Sequence, residues 1–215
     1  MTTSRAPAGR LPSRKPSRWS LLAWALLGCA SLTAHAQTPP ALVDALSVIG
    51  NGVAAGATGV VAINEAAGLD NAQANQGVIT NGQVPLNLIG SSQSADTNAK
   101  AMAAKSTISS DAFSNTSGLI ELNQSAGVGN LQRNSAVIGS GPIGAELVAD
   151  GVLSATTAKG GGLGRSGDNH DVREVSIGAD ALKNVSGIVQ INQAAGSGNV
   201  SSNSFVLRPP AGTFF

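Results

Sequence analysis

The chain has no tyrosine, one cysteine, two histidines and few aromatics, 3% of its 215 residues. Charged residues make up only 12%. A single cysteine excludes an intrachain disulfide framework, and two histidines leave little for a zinc site. The balance of 13 Lys and Arg against 12 Asp and Glu excludes a strongly basic nucleic-acid binder and an acidic solvating tail. Glycine is plentiful, at 27 residues, but does not fall at every third position, so the chain is not collagenous.

Residues 1–36 read as a secretory signal peptide. Arg5, Arg10, Arg14, Lys15 and Arg18 open it, and the apolar run LLAWALL at 21–27 is too short to cross a bilayer. Ala34-His35-Ala36 then gives a small-x-small cleavage site, with cleavage after Ala36. The alternative is a lipoprotein box, Leu26-Leu27-Gly28-Cys29, anchoring the chain at Cys29. Removing residues 1–36 takes away five of the 13 cations and none of the 12 acids, leaving 8 against 12. It also removes the cysteine and both tryptophans. Val, Ile, Leu and Phe then supply 45 of 179 residues, and Asn and Gln another 25. That is thin for a packed apolar core, so the amides need a structural use.

An internal repeat supplies one. GVVAINEAAGLDNAQANQGVI at 59–79, GLIELNQSAGVGNLQRNSAVI at 118–138 and GIVQINQAAGSGNVSSNSFVL at 187–207 align without gaps. Seven of 21 positions are identical, among them Asn64, Asn123 and Asn192; Asn71, Asn130 and Asn199; Asn75, Asn134 and Asn203; Gly68, Gly127 and Gly196; and Ala67, Ala126 and Ala195. The last two copies extend upstream, with Ile108, Asp111, Ala112, Asn115 and Ser117 recurring as Ile177, Asp180, Ala181, Asn184 and Ser186. Each copy reads as strand, turn, strand: an alternating β-branched run, a Gly/Asn turn, then a second alternating run.

In the second strand the recurring face is polar. It carries Asn71, Gln73 and Asn75, then Asn130, Gln132 and Asn134, then Asn199, Ser201 and Asn203. The opposite face varies and includes Arg133, which reads as a solvent-facing side chain. An isolated buried amide is costly, but a column of Asn at about 4.8 Å spacing satisfies each amide from the next. Val61 and Ile63 with their counterparts form an aliphatic column, and Ala67, Ala126 and Ala195 keep the corner narrow. The expected fold is therefore all-β, a β-solenoid-like stack of three strand-turn-strand repeats with loop-like linkers.

The expected organisation follows from that pattern. A short segment at 37–48 leads into repeat 1 at 49–80, a linker at 81–106, repeat 2 at 107–139, a Gly-rich linker at 140–175, repeat 3 at 176–208 and a tail at 209–215. Motifs for chemistry are weak. Gly162, Gly164 and Gly167 fit a dinucleotide glycine pattern, but Asp168-Asn169-His170-Asp171 follows where a helix should start, so a linker is the better reading. His170 with Asp168 and Asp171 lacks a full metal-ligand set. Asp111 and Asp180 repeat with the scaffold and read as turn residues; the sequons at Asn115 and Asn184 are explained equally by their place in the repeat. No catalytic, cofactor or metal site is expected, and no nucleic acid.

The run INQAAGSGN at 191–199, with Asn203 beyond it, and its two sister copies resemble the repeat of Fap-type bacterial functional amyloid subunits. Curli repeats are a looser match in pattern. Fap-type subunits likewise carry three imperfect repeats separated by unlike linkers behind a secretory signal. The resemblance implies a secreted subunit passing through the periplasm to the cell surface and polymerising into cross-β fibres for adhesion and biofilm matrix. Its implied partners are further copies of itself, related fibre subunits and an outer-membrane secretion pore, with no stable membrane span after signal cleavage. A major subunit of that kind would carry a cysteine pair near its C-terminus; residues 37–215 have none, which leaves major and minor roles open. The alternative is a monomeric surface adhesin or periplasmic accessory protein on the same scaffold.

Overall fold

The structure, a computed structural model, describes residues 39–82, 86–140, 145–149, 172–209 and the backbone of 153–157. The signal peptide, Cys29, the Gly162–Gly167 run and His170 lie outside the described residues.

The chain winds through three rungs. The first contains β1 (Ala41–Ile49), β2 (Thr58–Leu69), β3 (Ala72–Asn81) and β4 (Leu86–Ile89). The second contains β5 (Gln93–Thr97), β6 (Ala99–Ile108), β7 (Ser117–Val128), β8 (Leu131–Ser140) and β9 (Ala145–Val148). The third contains β10 (Leu153–Thr157), β11 (Arg173–Ile177), β12 (Ser186–Ser197) and β13 (Val200–Leu207). The strands pair in parallel, rung on rung, in the sheets β1-β6-β11, β2-β7-β12, β3-β8-β13, β4-β9 and β5-β10. The fold is all-β among the described residues, a stack of β-repeats.

The register is that of the sequence repeat. Asn64 pairs with Asn123 and Asn123 with Asn192, and the glycines at 59, 118 and 187 form one column. In this parallel register β2 and β3 do not hydrogen-bond to each other as a hairpin would; each pairs with its counterpart in the next rung. The strands therefore pack as layers, and β7 is covered on both faces. One face meets β6: Ile120 and Leu122 pack with Ile49, Ile108, Ala112 and Phe113, and Ala126 and Val128 with Ala45, Ala99, Ala101 and Ala104. The other face meets β8 through amides.

The chain leaves β1, β6 and β11 through turns that alternate into the left-handed region. Asp111, Phe113 and Asn115 have φ of 58, 58 and 56°, and Asp180, Leu182 and Asn184 have 60, 61 and 55°. Gly52, Ala54 and Gly56 repeat the conformation at 67, 57 and 72° in the first rung, where the sequence match is lost. Small residues hold the same turn there because glycine enters that region freely. The bulky residues are held by bonds between rungs, such as Phe113 N–H to the Val53 carbonyl at 2.8 Å and Leu182 N–H to the Ala112 carbonyl at 2.9 Å. Phe113 is fully buried, so apolar packing also offsets its backbone strain.

The stretches read as loops differ from that reading. The segment 81–106 carries β4, β5 and most of β6, and 140–175 carries β9, β10 and the start of β11. β6, AKAMAAKSTI, has little intrinsic strand preference. Its extended state comes from pairing with β1 and β11 on either side, a tertiary override of propensity.

Candidate functional site: interlocked amide columns and two open end rungs

Asn64, Asn123 and Asn192 project from β2, β7 and β12 toward Asn75, Asn134 and Asn203 on β3, β8 and β13. Within each sheet the amides bond rung to rung. Asn123 Nδ2 donates to Asn64 Oδ1 at 2.9 Å and Asn192 Nδ2 to Asn123 Oδ1 at 2.9 Å. Asn134 Nδ2 donates to Asn75 Oδ1 and Asn203 Nδ2 to Asn134 Oδ1, both at 3.0 Å. The columns also bond to each other: Asn123 Nδ2 to Asn75 Oδ1 at 2.8 Å, Asn134 Nδ2 to Asn123 Oδ1 at 3.1 Å, Asn192 Nδ2 to Asn134 Oδ1 at 3.0 Å. Asn123 and Asn134 are fully buried, and this double column satisfies them where water cannot.

A third column closes the turn. Asn130 Nδ2 donates to Asn71 Oδ1 at 2.9 Å and Asn199 Nδ2 to Asn130 Oδ1 at 2.7 Å. Asn71 also holds its own turn, donating to the Ala67 carbonyl at 3.1 Å. Gly68, Gly127 and Gly196 lie beside it with φ of 108, 123 and 127°. A Cβ at Gly68 would fall 1.9 Å from the Gly127 carbonyl oxygen, and one at Gly127 would fall 1.9 Å from that of Gly196. Rung spacing is thus set by peptide against peptide. Ala126, with Ala67 and Ala195 packed alongside, faces the alanines of β1 and β6, so these residues narrow that interlayer gap rather than the turn.

Further columns involve glutamines: Gln73 and Gln132 belong to the polar face already read from the sequence, whereas Gln124 and Gln193 do not. Gln193 Nε2 donates to Gln124 Oε1 at 2.9 Å on the β6 side of β7, and Gln73 Nε2 to Gln132 Oε1 at 2.8 Å on the β8 side. The identity of Gln124 and Gln193 in two copies was the available signal; Glu65 replaces them in the first. Asn184 Nδ2 donates to Asn115 Oδ1 at 3.0 Å, so the sequon asparagines are themselves stacked. Asp111 and Asp180 sit in the left-handed turns.

Arg133 corrects the solvent-facing assignment, since it is only 1% exposed. Segments flanking β4, β5 and β9 cover the outer face of β8 as a fourth layer. The guanidinium donates to Ser91 Oγ and the Ala149 carbonyl of that layer at 3.4 Å each, and to Ser202 Oγ on the neighbouring strand β13 at 3.3 Å. Strand alternation shows which face Arg133 occupies but not what packs on it.

One carboxyl also lies in the core. Glu121, in line with Ala62 and Gln190, is 1% exposed and its Oε1 has no hydrogen-bond partner among the described residues. Burial raises its pKa above the ordinary carboxyl value. No cluster of His, Cys, Asp and Glu suited to a metal is present among the described residues, and no described helix is long and apolar enough to cross a membrane.

The described residues thus form a parallel in-register β-stack cored by amide columns, whose first and third rungs leave exposed the positions that the middle rung buries. The chain belongs to the functional amyloid protein FapB/FapC family, matching it over residues 30–210. No solved structure matches it.

Proposed function

We propose that this chain is a secreted, non-catalytic subunit that assembles end to end into cross-β fibres serving adhesion and the biofilm matrix. Its partners are further copies of itself and related fibre subunits, delivered through an outer-membrane pore after cleavage at Ala36. The observation that carries the reading is the contrast between the middle rung and the ends. Leu119 is 3% exposed, but Val60, its column neighbour in the first rung, is 58% exposed; Leu131 is fully buried, but Val200 in the third rung is 51% exposed. The end rungs hold out to solvent the same positions that the middle rung buries, next to unpaired strand edges. A further copy in the same register covers both. In this reading the Asn columns at 64, 71 and 75 and their counterparts are the structural site, and Gly68, Gly127 and Gly196 set the spacing between copies as they do within one.

The test is assembly of the chain from residue 37 onward, followed by thioflavin fluorescence and fibre diffraction. A lag phase followed by fibres with reflections near 4.8 and 10 Å is expected. A monomer that stays soluble and unchanged on concentration would favour the closed adhesin scaffold instead.

A further inference from the structure

Two layers of the stack part at one edge. Val60, Leu119 and Ile188 stand in register near the start of β2, β7 and β12, and Ile79, Ile138 and Leu207 stand in register near the end of β3, β8 and β13. The first column and the isoleucines of the second are the walls of an apolar groove of about 260 Å³, bordered by the glycine column that starts at Gly59. The layers close behind it, where a Cβ at Gly77 would fall 3.2 Å from Leu119 Cδ2. No charged residue among the described ones lines it.

Stacking does not fill this groove. Ile138 sits in the middle rung with a partner on either side, yet it stays partly exposed, whereas its neighbour Val137 is fully buried. Its exposure is therefore sideways. A further copy on either end lengthens the groove without covering it. An uncovered apolar strip of this kind is a place for something to bind.

The chain supplies an occupant. Leu207 continues the wall of Ile79 and Ile138, so β13 ends at the rim of the groove. Arg208 points to the opposite face, its Nη1 3.7 Å from Glu146 Oε2 on β9. Pro209 and Pro210 then stop the strand. Residues 210–215, beyond the described ones, read Pro-Ala-Gly-Thr-Phe-Phe and carry no charged side chain. Leu207 and Phe214 are seven residues apart, a reach of up to about 23 Å. The groove crosses only two rung spacings, about 10 Å. An apolar cavity of about 150 Å³ accepts a benzene, so this groove has room for a phenyl ring. So short a tether holds the phenylalanines at their own groove at an effective concentration on the order of millimolar, far above that of a second copy in dilute solution.

We propose that residues 209–215 fold back along the flank of their own stack and seat the Phe214-Phe215 pair in this groove. The docking seals an apolar edge that end-to-end assembly leaves open, and it does not depend on assembly.

The test uses the chain from residue 37 onward, which holds no tryptophan, so Phe214→Trp adds a single indole reporter. In dilute solution its emission is expected to lie to the blue of free tryptophan in water and its quenching by acrylamide to be severalfold weaker, both independent of protein concentration. Adding Val60→Asp and Ile79→Asp to that chain should abolish both effects; these positions are 58 and 59% exposed, so the charges spare the fold while making the groove polar. The chain stopped after Arg208 should bind the apolar dye ANS severalfold more than the intact chain does. A water-like emission from the reporter, or protection that survives the charged walls, overturns the proposal. Protection that appears only as concentration rises also overturns it and makes a second copy the occupant. Equal ANS binding by the intact and shortened chains overturns it too, and leaves the groove to another apolar ligand. None of these readouts needs fibres, so a failure to assemble bears on the fibre reading alone.

Discussion

Glu121 shows how narrowly a single side chain is tolerated inside an amide core. Its folded pKa is raised by burial, so the folded state binds its proton more tightly than the unfolded chain does. Its contribution is then fully present below the ordinary carboxyl range and is lost as pH rises through the raised folded value. Denaturant midpoints are expected to be higher at pH 4 than at pH 7 on this account. Glu121→Gln should raise the pH 7 midpoint, by about 1–3 kcal/mol of stability, and flatten the pH dependence. The third rung already carries Gln190 in this column, so the amide fits. A variant that keeps the wild-type slope with pH would remove Glu121 as the cause. The glycine columns give a second prediction at this scale. Gly127→Ala meets both a φ of 123° and a carbonyl oxygen 1.9 Å from its new Cβ, and should cost about 3 kcal/mol or more. Gly82→Ala, with nothing within 4 Å of the Cβ position, should stay within about 0.5 kcal/mol in the same melts. Equal costs would mean that rung spacing is not set by glycine.

Strands in this protein are stabilised by columns rather than by side-chain interdigitation. Asn123 and Asn134 each bond within their own column and to the other, so they should be energetically coupled. A double-mutant cycle with Asn123→Ala and Asn134→Ala is expected to give single losses of about 1–3 kcal/mol and a coupling above about 0.5 kcal/mol. Additive losses would show that the columns do not interlock. The strand register was readable in the chain because the invariant Gly, Asn and Val positions keep one spacing through each copy. The interlock was not. Alternation places Asn64 and Asn75 on facing strands, but no residue type reports how close β2 and β3 lie. The fourth layer was equally hidden: LNLI at 86–89 becomes a strand through a partner distant in sequence, as AKAMAAKSTI at 99–108 does on the far side of β7, and only the fourth layer covers Arg133. Linker length matters less. Thr97 pairs with Thr157, 60 residues on, whereas Ala104 pairs with Arg173, 69 residues on. The nine extra residues therefore fall between Thr157 and Arg173. Deleting 160–168 should leave the denaturant midpoint within about 0.5 kcal/mol, because loop closure depends only weakly on length. A loss of several kcal/mol would give that segment a structural part that register does not assign to it.

At the scale of the whole molecule, three rungs are too few to close a solenoid and enough to define one. The middle rung buries its column positions between two others; the outer rungs do not, and their exposed valines and leucines lie beside open strand edges. Salt bridges add little to this arrangement. One pair between rungs, Lys105 to Glu174 at 2.9 Å, is nearly half exposed on both sides and is worth about 0–1 kcal/mol, and a second, Arg208 to Glu146, is longer at 3.7 Å. The central claim is that one chain supplies three successive rungs of a continuous stack, and mass per unit length of the fibre tests it most directly. At the parallel-strand spacing, three rungs span about 14 Å, so the account predicts one chain for every 14 Å or so of each protofilament. A value of one chain per about 4.8 Å, the signature of chains lying flat in single layers, would contradict it.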